Sequence, residues 1–163
     1  MKKVFRVSLV LTLLLVGSQT ASGIDQGALP DLDAFWAEVS RTVAEGDYEG
    51  YAATYHEDAI LVSGLSETTY PISQALDAWK QGFVDTKAGK MKASVEFRFT
   101  QRLSDATSAH ETGMFHYAAV DPDGERTDQI IHFEALLIKK PGWKMMMEYQ
   151  KSLATQEEWD AAK

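Results

Sequence analysis

The 163-residue chain contains no cysteine. That excludes disulfides, a thiol nucleophile and any thiolate-ligated metal centre. Basic residues are scarce, with 16 Lys+Arg against 24 Asp+Glu and a formal net charge of −8. Such a surface repels nucleic acid and anionic lipid, so neither is expected as a partner. There is no GxSxG, Walker or dinucleotide-binding pattern, and the histidines form no HxH or HExxH pair, so no metal site and no cofactor is expected. Long apolar runs are also missing, apart from one at the N-terminus.

That run is Val7 to Val16, broken by Ser8 and Thr12, preceded by Lys2, Lys3 and Arg6 and followed by Ala21-Ser22-Gly23. A basic start, a short apolar stretch and small residues at a cleavage point predict a signal peptide over residues 1–23. The run is too short for a comfortable transmembrane span, and no cysteine follows it to carry a lipid. The expected location is secreted or periplasmic, with no membrane contact after cleavage. Cleavage removes three basic and no acidic residues, leaving 16 − 3 = 13 Lys+Arg against 24 Asp+Glu, a formal charge of −11.

Residues 24–32 read as a short leader and 33–152 as one domain, with a tail over 153–163. Leu32, Trp36, Val39 and Val43 step by four, three and four, which places them on one face of a helix. Gly46 ends that helix and Asp47 caps the next, whose Tyr48, Tyr51, Ala52 and Tyr55 again share a face. His56-Glu57-Asp58 ends the second helix, Ala59 to Val62 reads as a strand, and residues 63–71 as a polar connection. Ser73 reads as the N-cap of a third helix ending near Lys87. Strands follow over Lys92–Leu103, Ala109–Val120, Thr127–Lys139 and Trp143–Lys151, separated by turns such as Asp121-Pro122-Asp123-Gly124. Thr155 with Glu158 forms a capping-box pattern for a brief last helix. The fold class is α+β: helices first, then a meandering antiparallel sheet.

This order, together with Gly46-Asp47, Glu57-Asp58-Ala59 and Gly142-Trp143, resembles the nuclear transport factor 2-like superfamily, in its SnoaL-like and ketosteroid-isomerase-like branches. The resemblance covers roughly residues 33–152. It implies a cone-shaped curved antiparallel sheet wrapped around the N-terminal helices, an interior small-molecule cavity and a homodimer through the sheet. It implies no single activity, because the scaffold serves isomerases, cyclases, hydrolases and binding proteins. The isomerase's general base falls on Ser63, its tyrosine donor near Val39 and its protonated acid near Glu134. Only the last keeps a suitable side chain, which argues against that reaction.

The sharpest candidate pair is His132 and Glu134, two apart in an otherwise apolar strand and so on one face. By the resemblance that face looks into the cone, where the pair would act as acid and base or orient a ligand. Met114 and His116 share a face of the preceding strand and are candidate ligand contacts. A His, His and carboxylate metal set lacks supporting spacing. Tyr51 and Tyr55 can present phenols to a ligand, and Trp79 can form cavity wall. In Met145-Met146-Met147-Glu148, alternation puts Met145, Met147 and Tyr149 on one face and Met146, Glu148 and Gln150 on the other. Glu148 is a further candidate ligand contact.

The leading expectation is an exported protein that binds a small apolar or amphipathic molecule in a largely apolar cavity and forms a homodimer. Two alternatives stand beside it. One is an isomerase, cyclase or hydrolase-type enzyme using Glu134 and His132, and the other is a dimeric assembly domain without chemistry.

Overall fold

The structure, a computed structural model, describes residues 28–162. The expected signal segment and residues 24–27 of the leader lie outside the described residues. Helix α1 (Leu29–Glu45) is followed by the short α2 (Tyr48–Ala52), strands β1 (Tyr55–Ser63) and β2 (Thr68–Pro71), and helix α3 (Ile72–Lys87). Strands β3 (Lys92–Ser104), β4 (Ser108–Val120), β5 (Arg126–Lys139) and β6 (Trp143–Leu153) come next, and α4 (Gln156–Ala161) ends the chain. The six strands form one sheet in the order β2-β1-β6-β5-β4-β3.

The sheet is mixed rather than wholly antiparallel, because β1 runs parallel to β6. All other pairings are antiparallel. The segment expected as a plain connection at 63–71 contains β2, which pairs back on β1 from Ile60↔Pro71 to Ser63↔Thr68. Pairing along an open edge supplies hydrogen bonds that a polar composition does not advertise.

Helix α1 buries Leu32, Phe35, Trp36, Val39, Thr42 and Val43 against the concave sheet face. It starts at Leu29, inside the stretch expected as leader, with proline in its first turn. Gly46 ends it in the left-handed conformation at φ 66°, and a Cβ there would sit 2.3 Å from the Lys87 nitrogen. Glycine is required on both counts. Asp47 caps α2 as expected, accepting from the Gly50 amide at 3.0 Å. Helix α2 is shorter than its tyrosine periodicity predicts. Thr54 folds back on the Tyr51 carbonyl with both its amide and its hydroxyl, while its own carbonyl accepts from the Met145 amide of β6. Strand pairing outcompetes another helical turn, and β1 begins at Tyr55. Pro71, not Ser73, occupies the N-cap of α3, and Ser73 lies in the first turn.

The core lies between α1, α3 and the concave sheet face. Trp36 contacts the rings of Phe97, Phe99 and Phe133, with centroids 4.5–5.6 Å apart. A smaller cluster lies on the convex face, where Trp159 of α4 covers Met114 and Ile130. The expected capping box forms there: Thr155 Oγ1 accepts from the Glu158 amide at 3.2 Å and a Glu158 carboxylate oxygen accepts from the Thr155 amide at 2.7 Å. Arg98 lies over the Trp159 ring at 4.3 Å and donates to the Ala162 carbonyl at 3.1 Å, which fastens α4 in place.

Candidate functional site

A cavity of about 390 Å³ lies inside the cone, between α1, α2 and α3 and the concave sheet face. Its wall is mostly apolar and aromatic, with Trp36, Trp79, Phe83, Phe97, Phe115 and Phe133 contributing rings. Its size and lining fit a small organic ligand.

The polar groups gather at one pole. Tyr55, first residue of β1, donates from its hydroxyl to Glu148 Oε2 at 2.5 Å. Gln150 Nε2 donates to the other carboxyl oxygen at 2.8 Å. The Tyr51 and Tyr55 hydroxyls are 3.2 Å apart. A phenol has one proton, and that of Tyr55 is committed to Glu148, so Tyr51 donates to Tyr55. The lone pairs of the Tyr51 oxygen then remain free to accept. Tyr117 and Gln129, paired across β4 and β5, also line the cavity.

Glu148 is buried, and loss of water pushes its carboxyl above the usual carboxylate range, against the opposing pull of its bonds from Gln150 and Tyr55. Burial, then the nearby Glu148 charge, also raises Tyr51 and Tyr55 well above an ordinary phenol. At neutral pH both phenols are therefore hydrogen-bond donors rather than phenolates.

Glu148 reaches this pole through an irregularity. Leu136 pairs with Met147 and Leu137 with Met145, which leaves Met146 as an extra residue in β6. This β-bulge reverses the alternation, so Met145 and Glu148 face the same cavity although three residues apart. Strict alternation put Met145 opposite Glu148 and Gln150; the bulge corrects that assignment.

Of the residues singled out from the sequence, Tyr51, Tyr55, Trp79 and Glu148 meet at the cavity. Glu134 and His132 do not. On β5 the inward set is Ile131, Phe133, Ala135 and Leu137, all in the main core, and the two polar residues have the opposite parity. Their expected inward direction is corrected: both lie on the convex face. Glu134 binds Lys151 Nζ at 2.6 Å, which holds its carboxyl below the usual range, and faces His110 at 3.4 Å. His132 faces Glu158 of α4 at 3.3 Å. Met114 and His116 also stand on the convex face, Met114 beneath Trp159 and His116 2.7 Å from Asp128. Among the described residues, no group of three His, Asp or Glu side chains is placed to hold a metal.

Glu111 escaped the sequence reading. It is fully buried, accepts from Trp36 Nε1 at 2.5 Å and is paired with Arg102, which also reaches Asp33 at 2.5 Å. The pair ties α1 to β3 and β4 and orients the Trp36 ring on the cavity wall. A signal existed: Glu111 shares strand parity with Phe115 and Tyr117.

No family model matches the sequence, and no curated protein matches it. Solved structures do. The beta subunit of benzoate 1,2-dioxygenase from Burkholderia mallei superposes with a TM-score of 0.60 at 16% identity, over 85% of this chain and 95% of that one. A nuclear transport factor 2-like superfamily protein from Salmonella enterica gives 0.59 at 12% identity, over 80% and 94%. A nuclear transport factor 2-like protein of unknown function from Shewanella oneidensis gives 0.58 at 16% identity, over 74% and 96%. At these identities the likeness is one of fold. The chain has the nuclear transport factor 2-like fold.

Proposed function

We propose that this protein is an exported binder of a small, largely apolar organic molecule, seated in the cone with its polar atom at the Glu148–Tyr55–Tyr51 pole. The observation that carries this reading is the cavity of about 390 Å³, walled by aromatic rings and polar chiefly around one buried carboxyl. A wall this apolar with a few convergent polar groups suits a ligand that hides hydrocarbon and orients one heteroatom. The N-terminal pattern over residues 1–23 supports export. Native mass spectrometry of the purified protein tests the reading. An organic adduct released by denaturation is expected, and a protein that takes up no organic molecule under any loading condition contradicts it.

A second reading has its own support. A carboxyl raised by burial and touching a phenol is suited to general acid–base catalysis. This moves the enzymatic alternative from Glu134 and His132 to Glu148. Turnover that collapses in Glu148→Gln would establish it, and binding without turnover would favour the first reading. An assembly role without a ligand leaves the cavity unexplained.

For the homodimer, the support is an apolar row on the convex face. Ile60, Met147, Leu136, His110 and Leu103 are register partners across five strands, and Ile60, Leu136 and Leu103 are each at least 40% exposed. We propose that a second copy covers this row, beyond the part of the face that α4 occupies. Light scattering on Leu136→Asp, expected to be monomeric against a dimeric parent, tests it.

A further inference from the structure

We infer that the cavity's occupant carries a cationic nitrogen, as a lipophilic amine or quaternary ammonium, with Glu148 as its counter-ion and the surrounding rings as its cage. The inference rests on the ligand-binding reading above and names the ligand class.

The first observation is how Glu148 is held. Tyr55 donates to one carboxyl oxygen and Gln150 to the other. Two donors aimed at two oxygens make a cradle for a carboxylate. The second is what the cradle lacks. Among the described residues, no Lys, Arg or His lines the cavity, and none forms an ion pair with Glu148. The fully buried Glu111, by contrast, has the Arg102 guanidinium against it. A buried carboxylate without a counter-charge is costly, and burial pushes the Glu148 carboxyl up accordingly. A ligand cation would supply the missing charge.

The third observation is the wall. The Tyr51 ring stands 4.9 Å from Phe83, 5.6 Å from Tyr55 and 6.1 Å from Trp79, centroid to centroid. Aromatic faces carry negative potential and attract an ammonium group while solvating its alkyl substituents. The Tyr51 oxygen adds lone pairs to the same pole. A ligand anion would meet a carboxyl, phenol lone pairs and ring faces, with no cation to receive it. A neutral hydroxyl could satisfy Tyr51 but would leave Glu148 unpaired. The net charge of −8 also favours approach of a cation over an anion.

The test uses an isosteric pair, benzyltrimethylammonium and the uncharged neopentylbenzene, titrated against the purified protein near neutral pH. The ammonium probe should bind at least about tenfold more tightly, a modest demand for a desolvated cation–π site with a counter-ion. In Glu148→Gln the preference should vanish while neopentylbenzene still binds. Glu134→Gln, which removes a carboxyl from the convex face and leaves the cavity intact, should retain the preference. Equal or tighter binding of neopentylbenzene by the parent protein would overturn the cationic assignment and leave the cavity reading standing. An ammonium preference that persists in Glu148→Gln would also overturn it. Failure of both probes to bind would overturn the inference together with the ligand-binding reading. The parent comparison decides the matter even if Glu148→Gln does not fold.

Discussion

The Tyr55 hydroxyl donates to Glu148 across 2.5 Å, joining residues 93 positions apart. One stands at the start of β1 and the other in the middle of β6, its parallel neighbour. The bond thus closes the cone where α2 gives way to the sheet. It also positions the only carboxyl among the described residues that line the cavity. Structure and chemistry of the pole depend on the same contact.

Replacing Glu148 by Gln keeps the shape and removes the titration. The folded carboxyl lies above its unfolded value, so between those values the folded form holds a proton that the unfolded chain has released. The stabilisation from this group is complete below the unfolded value and is lost as pH rises through the folded one. Urea melts from about pH 4 to about pH 8 should therefore show Glu148→Gln gaining stability relative to the parent as pH increases. Two stability curves that stay parallel across that range would rule out a raised carboxyl.

Tyr55→Phe deletes the donor and should cost about 1–3 kcal/mol, because a buried carboxyl oxygen loses its partner. The same bond pulls the Glu148 carboxyl down, so its removal should raise the titration midpoint further. Carboxyl-carbon NMR reads that midpoint, and a fall in it would count against the network as described.

Glu111→Ala should be among the more damaging single changes, at about 3–5 kcal/mol, since it strips Arg102 and the Trp36 indole of a buried partner. Glu111→Gln, which still accepts from Trp36, should cost less. Chemical denaturation orders the two, and equal small losses would mean that the pair is not holding α1 to the sheet.

Glu134→Gln and His132→Gln should each change stability by no more than about 1 kcal/mol, because their ion pairs lie at the solvent-facing convex surface. Neither should alter the affinity of neopentylbenzene or benzyltrimethylammonium. A large loss of affinity in either variant would return the site to the convex face.

Much of the architecture was legible in residue order. The α1 stripe, the Gly46-Asp47 junction, one end of each of four strands (Lys92, Val120, Lys139 and Trp143) and the Thr155–Glu158 capping box all follow from local chemistry. The length of α2 was not legible, because pairing of Thr54 with β6 competes against a helical pattern that continues to Tyr55. The site was half legible. Tyr51, Tyr55, Trp79 and Glu148 all line the cavity, but the facing of Glu148 depends on a bulge at Met146 that alternation cannot reveal. Both faces of β5 are apolar, so Glu134 had no internal marker of direction. Its ion pair with Lys151 of β6 marks it as outward, and that contact appears only once the fold lays β5 beside β6.

Methyl NMR during titration with benzyltrimethylammonium and neopentylbenzene tests the central claim most directly, because it locates the bound molecule. The methyl signals of Val39, Val43, Ile131 and Met145, all on the cavity wall, should move. Those of Ile60, Leu136 and Met147, on the convex face, should stay in place. Shifts confined to the convex face, or no movement of the cavity methyls with either probe up to its solubility limit, would contradict a ligand site inside the cone.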